Sequence, residues 1–300
     1  MKMTYYPGCS LQGTARDYND TILEVCQTIG VELNEIEDWN CCGASSAHMT
    51  NHEVAMRLSI RNLLLAAKSS DNVLIPCSAC YQRLKAADKA LREDPEYWDV
   101  TDYNPDFKLV HISSFLAEPE ILELIADKVI QPVGKMKVAC YYGCLSLRPP
   151  HITDAPNHEM PTTLENIVTA IGADPVSWSH KTECCSGSLT MTRPDIAGKL
   201  VGEIVEAARR GGATAMVTDC PMCQANVESR QELPPGTSMV VYYATELIAA
   251  ALTGSYPEKQ QKVHLVPAHA LQAHMERSAH NAGTATGSTT ETTSQKEESA

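Results

Sequence analysis

Residues 14–30 place Tyr18, Ile22, Val25, Cys26 and Ile29 on one side of a 3.6-residue repeat and stop at Gly30. That spacing predicts an amphipathic helix, ended by the residue that most readily accepts a left-handed backbone. The same pattern returns at Leu164, Ile167, Val168 and Ile171, with Gly172 as the stop. Apolar runs too short for helices lie at 73–75, 109–112, 137–139, 215–217 and 239–241, and they read as buried strands. Two weaker strand candidates are 31–37 and 175–178. Longer helical patterns cover 53–68, 79–92, 113–129, 195–210 and 244–252. Short buried strands alternating with helices predict an α/β fold built of parallel βαβ units.

The chain repeats itself. Met3-Thr-Tyr-Tyr-Pro-Gly-Cys9 aligns with Val138-Ala-Cys-Tyr-Tyr-Gly-Cys144, Cys41-Cys42 with Cys184-Cys185, and Cys77-x-x-Cys80 with Cys220-x-x-Cys223. The offset is 135 at the first cysteine (144 − 9) and 143 at the others (184 − 41), so eight residues are inserted in the second copy, expected in the loop 151–161. Two pseudo-twofold-related domains follow, 1–132 and 133–256, then an extension over 257–278. From His280 onward almost no apolar side chains are available. A stretch of that composition cannot offset the entropy of ordering itself, so 279–300 is expected to be a disordered tail.

Charge and composition narrow the function. Lys and Arg total 24 against 37 Asp and Glu, a formal charge of −13, which disfavours nucleic acid and anionic membrane surfaces. No apolar run reaches the roughly 18 residues of a membrane span, and the opening segment carries no apolar leader, so a cytoplasmic location is expected. Twelve cysteines beside two phenylalanines is an unusual inventory for such a chain. Disulfides suit small secreted domains, whereas this chain is long and lacks an export signal, which favours metal or iron–sulfur ligation.

Each half carries five cysteines in register: Cys9, Cys41, Cys42, Cys77 and Cys80, then Cys144, Cys184, Cys185, Cys220 and Cys223. Four ligands satisfy a zinc ion or a cubane cluster. Either one cysteine per half is a bystander, or the centre is irregular. All five follow expected strands, and ligands in open α/β sheets gather at the carboxyl ends of strands. Three distant segments therefore converge once per half.

This pattern resembles the cysteine-rich CCG domain family, and its two-copy arrangement over residues 1 to about 270 resembles the B subunits of heterodisulfide reductases. The resemblance implies a non-cubane [4Fe–4S] cluster in each half, held by all five cysteines named above. It implies that a disulfide or thiol substrate sits in a shared cleft, cleaved or in reverse formed, with one electron supplied by each cluster. It also implies a ferredoxin-like iron–sulfur partner resembling the C subunits of those enzymes and a flavoprotein resembling their A subunits; the chain itself has no Gly-x-Gly-x-x-Gly. The alternative class is a non-catalytic electron-relay protein or a structural one with zinc in a site. One departure is Cys184-Cys185-Ser186-Gly187, where the glycine comes one place late.

Weaker signals have plainer readings beside them. His48, six residues past Cys42, is a candidate proton donor or a solvated loop histidine, since the second copy has Thr190 and Met191 there. Arg148, His180 and Lys181 are a possible clamp for an anionic group or ordinary surface charges. Arg209-Arg-Gly-Gly212 reads as a helix C-cap rather than a phosphate loop. Cys26 and Cys140 read as core residues.

Overall fold

The computed structural model describes residues 1–287 apart from 45, 70, 102, 104 and 235. The first half runs β1 (Lys2–Tyr5), α1 (Gly8–Gln12), α2 (Arg16–Thr28), β2 (Glu32–Glu35), α3 (Ser46–Thr50), α4 (His52–Ala66), β3 (Val73–Ile75), α5 (Ser78–Glu93), β4 (Leu109–His111), α6 (Ile112–Leu116) and α7 (Pro119–Lys128). The second repeats it with β5 (Lys137–Cys140), α8 (Pro150–Thr153), α9 (Thr163–Ala170), β6 (Asp174–Pro175), α10 (Pro194–Arg210), β7 (Ala215–Thr218), α11 (Pro221–Ser229), β8 (Val241–Tyr243) and α12 (Ala244–Thr253). Helices α13 (Glu258–Gln261) and α14 (Ala270–Gly287) complete the chain.

Each half holds a four-stranded sheet, ordered β2-β1-β3-β4 and β6-β5-β7-β8, with every neighbouring pair parallel. The chain leaves β1 toward β2 on one side and returns to β3 on the other. That reversal opens a crevice at the carboxyl ends of the two central strands. The central strands β3 and β7 are buried along their whole length because helices cover both faces, whereas β2 at the edge reads Glu-Leu-Asn-Glu and is largely exposed.

Three expectations shift. The helix expected over 113–129 is two helices, α6 and α7, broken at Glu118, which is extended at φ −61° and ψ 134°. Pro119 causes the break, since a residue before proline is pushed out of helical geometry. The last strand starts at Val241 rather than at 239, because the Gln231 side chain both accepts from the Met239 N–H and donates to its carbonyl. At the C-terminus α14 continues to Gly287, nine residues beyond 278, where the tail was expected to begin; the remainder of that tail, 288–300, lies outside the described residues.

The halves share one core. Ile22 and Val25 of α2, with Ile29 just past its end, pack in the same cluster as Val168, Leu247 and Ile248 of the second half. The Tyr18 and Tyr243 rings stack with centroids 4.0 Å apart, and the Thr21 and Thr245 hydroxyls meet at 2.7 Å. The inserted loop reaches across as well: Tyr81 donates to the Thr153 carbonyl at 2.9 Å, and Lys85 pairs with Asp154 at 2.6 Å. Among the described residues no helix is long and apolar enough to cross a membrane.

Candidate metal centres

In the first half, Cys9 follows β1, Cys41 and Cys42 follow β2, and Cys77 caps α5 with Cys80 in its first turn. Cys9 and Cys41 sulfurs lie 3.8 Å apart, Cys42 and Cys80 3.2 Å, and Cys77 lies close enough to Cys80 to act on its thiol. The buried Asn62 and Ser59 of α4 peg this loop. Asn62 accepts from the Asn40 N–H and donates to its carbonyl, and Ser59 donates to the Cys42 carbonyl. Tyr6 adds a bond to the Asn40 carbonyl at 2.7 Å.

The second half repeats the plan. Cys144 and Cys184 sulfurs are 3.7 Å apart, Cys185 and Cys223 3.6 Å, and Cys220 sits against Cys223. Tyr141 donates to the Glu183 carbonyl at 2.8 Å, as Tyr6 does to Asn40. The late glycine is accommodated without rearrangement: Ser186 itself takes the left-handed conformation, φ +56°, that Gly43 takes at +76°. Either way the next N–H points at the sulfur of the first cysteine of the pair, Gly43 to Cys41 at 3.4 Å and Ser186 to Cys184 at 3.3 Å.

Gly8 and Gly143 form a matched cradle, both left-handed, where an added Cβ would lie 3.0 Å from the Cys80 sulfur and 2.9 Å from the Cys223 sulfur. Gly143→Ala is therefore expected to lose about 1–2 kcal/mol of stability from backbone strain and to displace Cys223 from its set. Chemical denaturation beside metal content checks both; unchanged values in the variant would contradict the cradle.

Electrostatics sort the thiols alike in both halves. Cys41 is held well below the usual thiol range, by Cys42 and Cys9 and by the Gly43 N–H, and Cys184 is lowered by Cys144 and the Ser186 N–H. Cys9, Cys80, Cys144 and Cys223 are pushed up by contact with neighbouring sulfurs and by burial. Cys41 in the first set, and Cys184 and Cys220 in the second, are thus favoured as thiolates, and a cation is what allows the raised ones to ionise. Among the described residues no three thiol, imidazole or carboxylate groups are gathered closely enough to form a ready metal site. The sulfurs form a string instead.

The loops entering the two sets come together in the interior. Tyr18 of the first half donates to the Asp219 carbonyl at 2.9 Å and lies 3.5 Å from the Pro76 carbonyl, so the loops entering Cys77 and Cys220 share one hydroxyl. The Cys220 thiol is lowered chiefly by Cys223, with Ser78, next to Cys77, adding a smaller effect from the first half. His111 at the end of β4 is 1% exposed; its Nε2 is 3.2 Å from Ser78 Oγ and its Nδ1 2.9 Å from Ser113 Oγ. None of these residues carries a motif, so only the repeat comparison, with His111 opposite Tyr243 and Asp219 opposite Pro76, hints that the junction is asymmetric.

The weaker sequence candidates fall elsewhere. His48 sits in α3 with its Nδ1 buried and unpartnered, and its pKa is lowered by burial and by Arg83. Arg148 is engaged by Glu159 and Thr182, Lys181 by Glu165 and the Pro161 carbonyl, and His180 by Ser179. Arg209 and Arg210 pair with Glu206, and Gly211 caps their helix. Cys26 and Cys140 are fully buried in the shared core, and burial raises both thiols.

The model of the cysteine-rich domain CCG matches residues 3–85 and 138–228. The chain is 30% identical over 238 residues to the 8-methylmenaquinol:fumarate reductase membrane anchor subunit of Wolinella succinogenes, covering 77% of this chain and 83% of that one. It is 22% identical over 268 residues to the B subunit of the ferredoxin:CoB-CoM heterodisulfide reductase of Methanosarcina mazei, covering 84% and 89%. Lactate utilization protein A of Oceanobacillus iheyensis is 22% identical over 250 residues, covering 83% and 96%. In fold, the chain resembles a crystal structure of a hypothetical protein from Helicobacter pylori at a TM-score of 0.66 and 10% identity, matching 88% of this chain and about half, 51%, of that longer one. Ten cysteines in two matched sets and these redox relatives make the chain a redox iron–sulfur protein. It belongs to the CCG cysteine-rich domain family, carries two copies of the domain, and is homologous to the B subunits of heterodisulfide reductases.

Proposed function

We propose that this chain is the catalytic, cytoplasmic iron–sulfur subunit of a heterodisulfide reductase-like complex. Cys9, Cys41, Cys42, Cys77 and Cys80 hold one non-cubane [4Fe–4S] cluster, and Cys144, Cys184, Cys185, Cys220 and Cys223 hold the other. A string of five sulfurs, with one thiolate already stabilised, suits a polynuclear centre better than a four-ligand ion. When bound, the two clusters supply the single electrons that cleavage of a disulfide requires in pairs.

The observation that carries this reading is the junction. Ser78 against Cys220, and Tyr18 across Pro76 and Asp219, bring the inner ends of the two sets side by side, so both can act on one sulfur–sulfur bond. Their outer ends, Cys9 and Cys184, are exposed. That face is where a disulfide or thiol enters and where a ferredoxin-like partner resembling a heterodisulfide reductase C subunit docks, fed in turn by a flavoprotein resembling an A subunit. The Tyr6 and Tyr141 phenols stay protonated, because burial and the surrounding thiols raise both. They hold the pair loops in place.

A second reading follows from the relative at 30% identity, which belongs to a quinol:fumarate reductase. There the two sets relay electrons and cleave no sulfur bond. Anaerobic isolation is expected to yield about eight irons per chain, about four per cluster, and turnover of a disulfide with reduced viologen. Zinc at one or two per chain would overturn the cluster assignment, and a full iron load that oxidises a menaquinol but cleaves no disulfide would favour the relay.

A further inference from the structure

We propose that a hydroxyl-lined cavity between the two halves feeds protons through Ser113 and His111 to the Ser78 hydroxyl, at the junction of the loops that carry Cys77 and Cys220, where a leaving substrate sulfur would take them. The cavity encloses about 170 Å³ and draws its wall from both halves, including Ser113 and Ser114 from the first and Ser146, Thr153 and Thr162 from the second. At roughly 30 Å³ per water it has room for a chain of several. Its mouth lies at the exposed Ser114, Asn157 and Thr162, and its inner end at the buried His111 and Ser113. Ser146 Oγ is buried in this wall with no hydrogen-bond partner in the protein.

From the inner end the path is continuous. Ser113 Oγ lies 2.9 Å from His111 Nδ1, His111 Nε2 lies 3.2 Å from Ser78 Oγ, and Ser78 directly follows Cys77 in the chain. Burial lowers the His111 pKa, against the pull of Asp219, so the ring is neutral, with one nitrogen donating and the other accepting. Such a ring passes a proton by taking it at one nitrogen and releasing it at the other. Asp219, 1% exposed and 3.7 Å from Nδ1, biases the ring while neither of its oxygens completes a hydrogen bond. Tyr81, whose ring centre is 5.3 Å away, is the other ionisable group facing it.

Packing alone does not call for this arrangement. At the matching positions of the repeat stand Tyr243 for His111, Thr245 for Ser113, Pro221 for Ser78 and Pro76 for Asp219. There the tyrosine backbone is held by the buried Glu246 through its N–H, and no imidazole stands between two hydroxyls as His111 does.

The route rests on the disulfide reading and completes its balance: R–S–S–R′ + 2 e⁻ + 2 H⁺ → RSH + R′SH. The S–S bond breaks, electrons arrive from the reduced iron–sulfur partner through the two sets, and each leaving sulfur takes a proton that entered from solvent. In the oxidative direction the protons leave by the same path.

The test uses the iron-loaded full chain, reduced methyl viologen as donor and bis(2-hydroxyethyl) disulfide as the probe. His111→Phe with unchanged iron content is expected to slow cleavage by about a hundredfold and to raise the solvent deuterium isotope effect. Added imidazole is expected to restore part of the rate to His111→Ala, a rescue that a purely structural role would not show. Ser113→Ala, a smaller change, is expected to give the same isotope signature at a smaller loss. Crystals of the unaltered chain are expected to show ordered water bonded to Ser146 Oγ. Unchanged rate and isotope effect in both His111→Phe and Ser113→Ala, or a dry cavity, would overturn the route while leaving the disulfide reading intact. An iron-loaded unaltered chain that does not cleave the probe would instead remove that reading, and the route with it.

Discussion

Serine in place of Cys41 or of Cys42 is expected to distort or empty the first centre, lowering iron from about eight to about four per chain, with the second centre's signal retained. Cys42 links to Cys80 at 3.2 Å and Cys41 to Cys9 at 3.8 Å, so each adjacent cysteine continues a different arm of the string. Removing either one cuts the set in two. Cys26→Ala serves as the control. That thiol is 1% exposed in the shared core, away from both strings, and its loss should reduce stability by about 1 kcal/mol while leaving both centres intact. Iron quantitation with electron paramagnetic resonance reads both outcomes. Normal signals in both single serine variants would make one cysteine of the pair a bystander.

His264→Gln is expected to remove about 3–5 kcal/mol of stability at neutral pH, because it strands two buried carboxylates. His264 Nδ1 lies 3.0 Å from Glu228 of α11 and Nε2 lies 3.0 Å from Glu246 of α12, with all three side chains at most 2% exposed. Burial pulls the imidazole pKa down, but Glu228 and Glu246 outweigh it and raise it from 6.5 to about 10. The folded value lies above the unfolded one, so this stabilisation is fully present below about pH 6.5. It is lost progressively as pH rises through about 10. Asp17 also faces the pair from α2, and Tyr256 donates to Glu246 at 3.1 Å. Denaturation midpoints between pH 6 and 10 check the sign: a fall in the unaltered chain that is absent from His264→Gln is expected, and parallel curves would contradict it. The contact also clamps the C-terminal segment onto α11, the helix that carries Cys223.

Much of the architecture is legible along the chain. Apolar positions at 3.6-residue spacing mark α2 and α9, and short apolar runs mark β3, β4, β5 and β7 to within a residue, because helix and strand periods are local properties of consecutive side chains. The ten cysteines are legible for a different reason. A thiol-bound centre needs particular atoms at particular points, so both copies keep the same order and spacing of sulfurs. Where a local feature overrides the pattern, as Pro119 does between α6 and α7 and Gln231 does before β8, the period misleads by a few residues.

The junction is not legible in this way. Tyr18 meets Asp219 across 201 positions and Thr21 meets Thr245 across 224, and no short-range period records a contact at such a separation. His111 reads in sequence as one more residue of a strand end, and His264 as one polar residue in a short apolar piece; each acquires a role only when packing brings carboxylates or hydroxyls of other elements to its ring nitrogens. Sequence by itself determined the strand and helix order, the duplication and the sulfur sets. Tertiary structure alone decided that the loops entering the two sets share the Tyr18 hydroxyl and which polar groups are buried between them, because burial and partnership are set by the packing of whole elements rather than by neighbours in the chain.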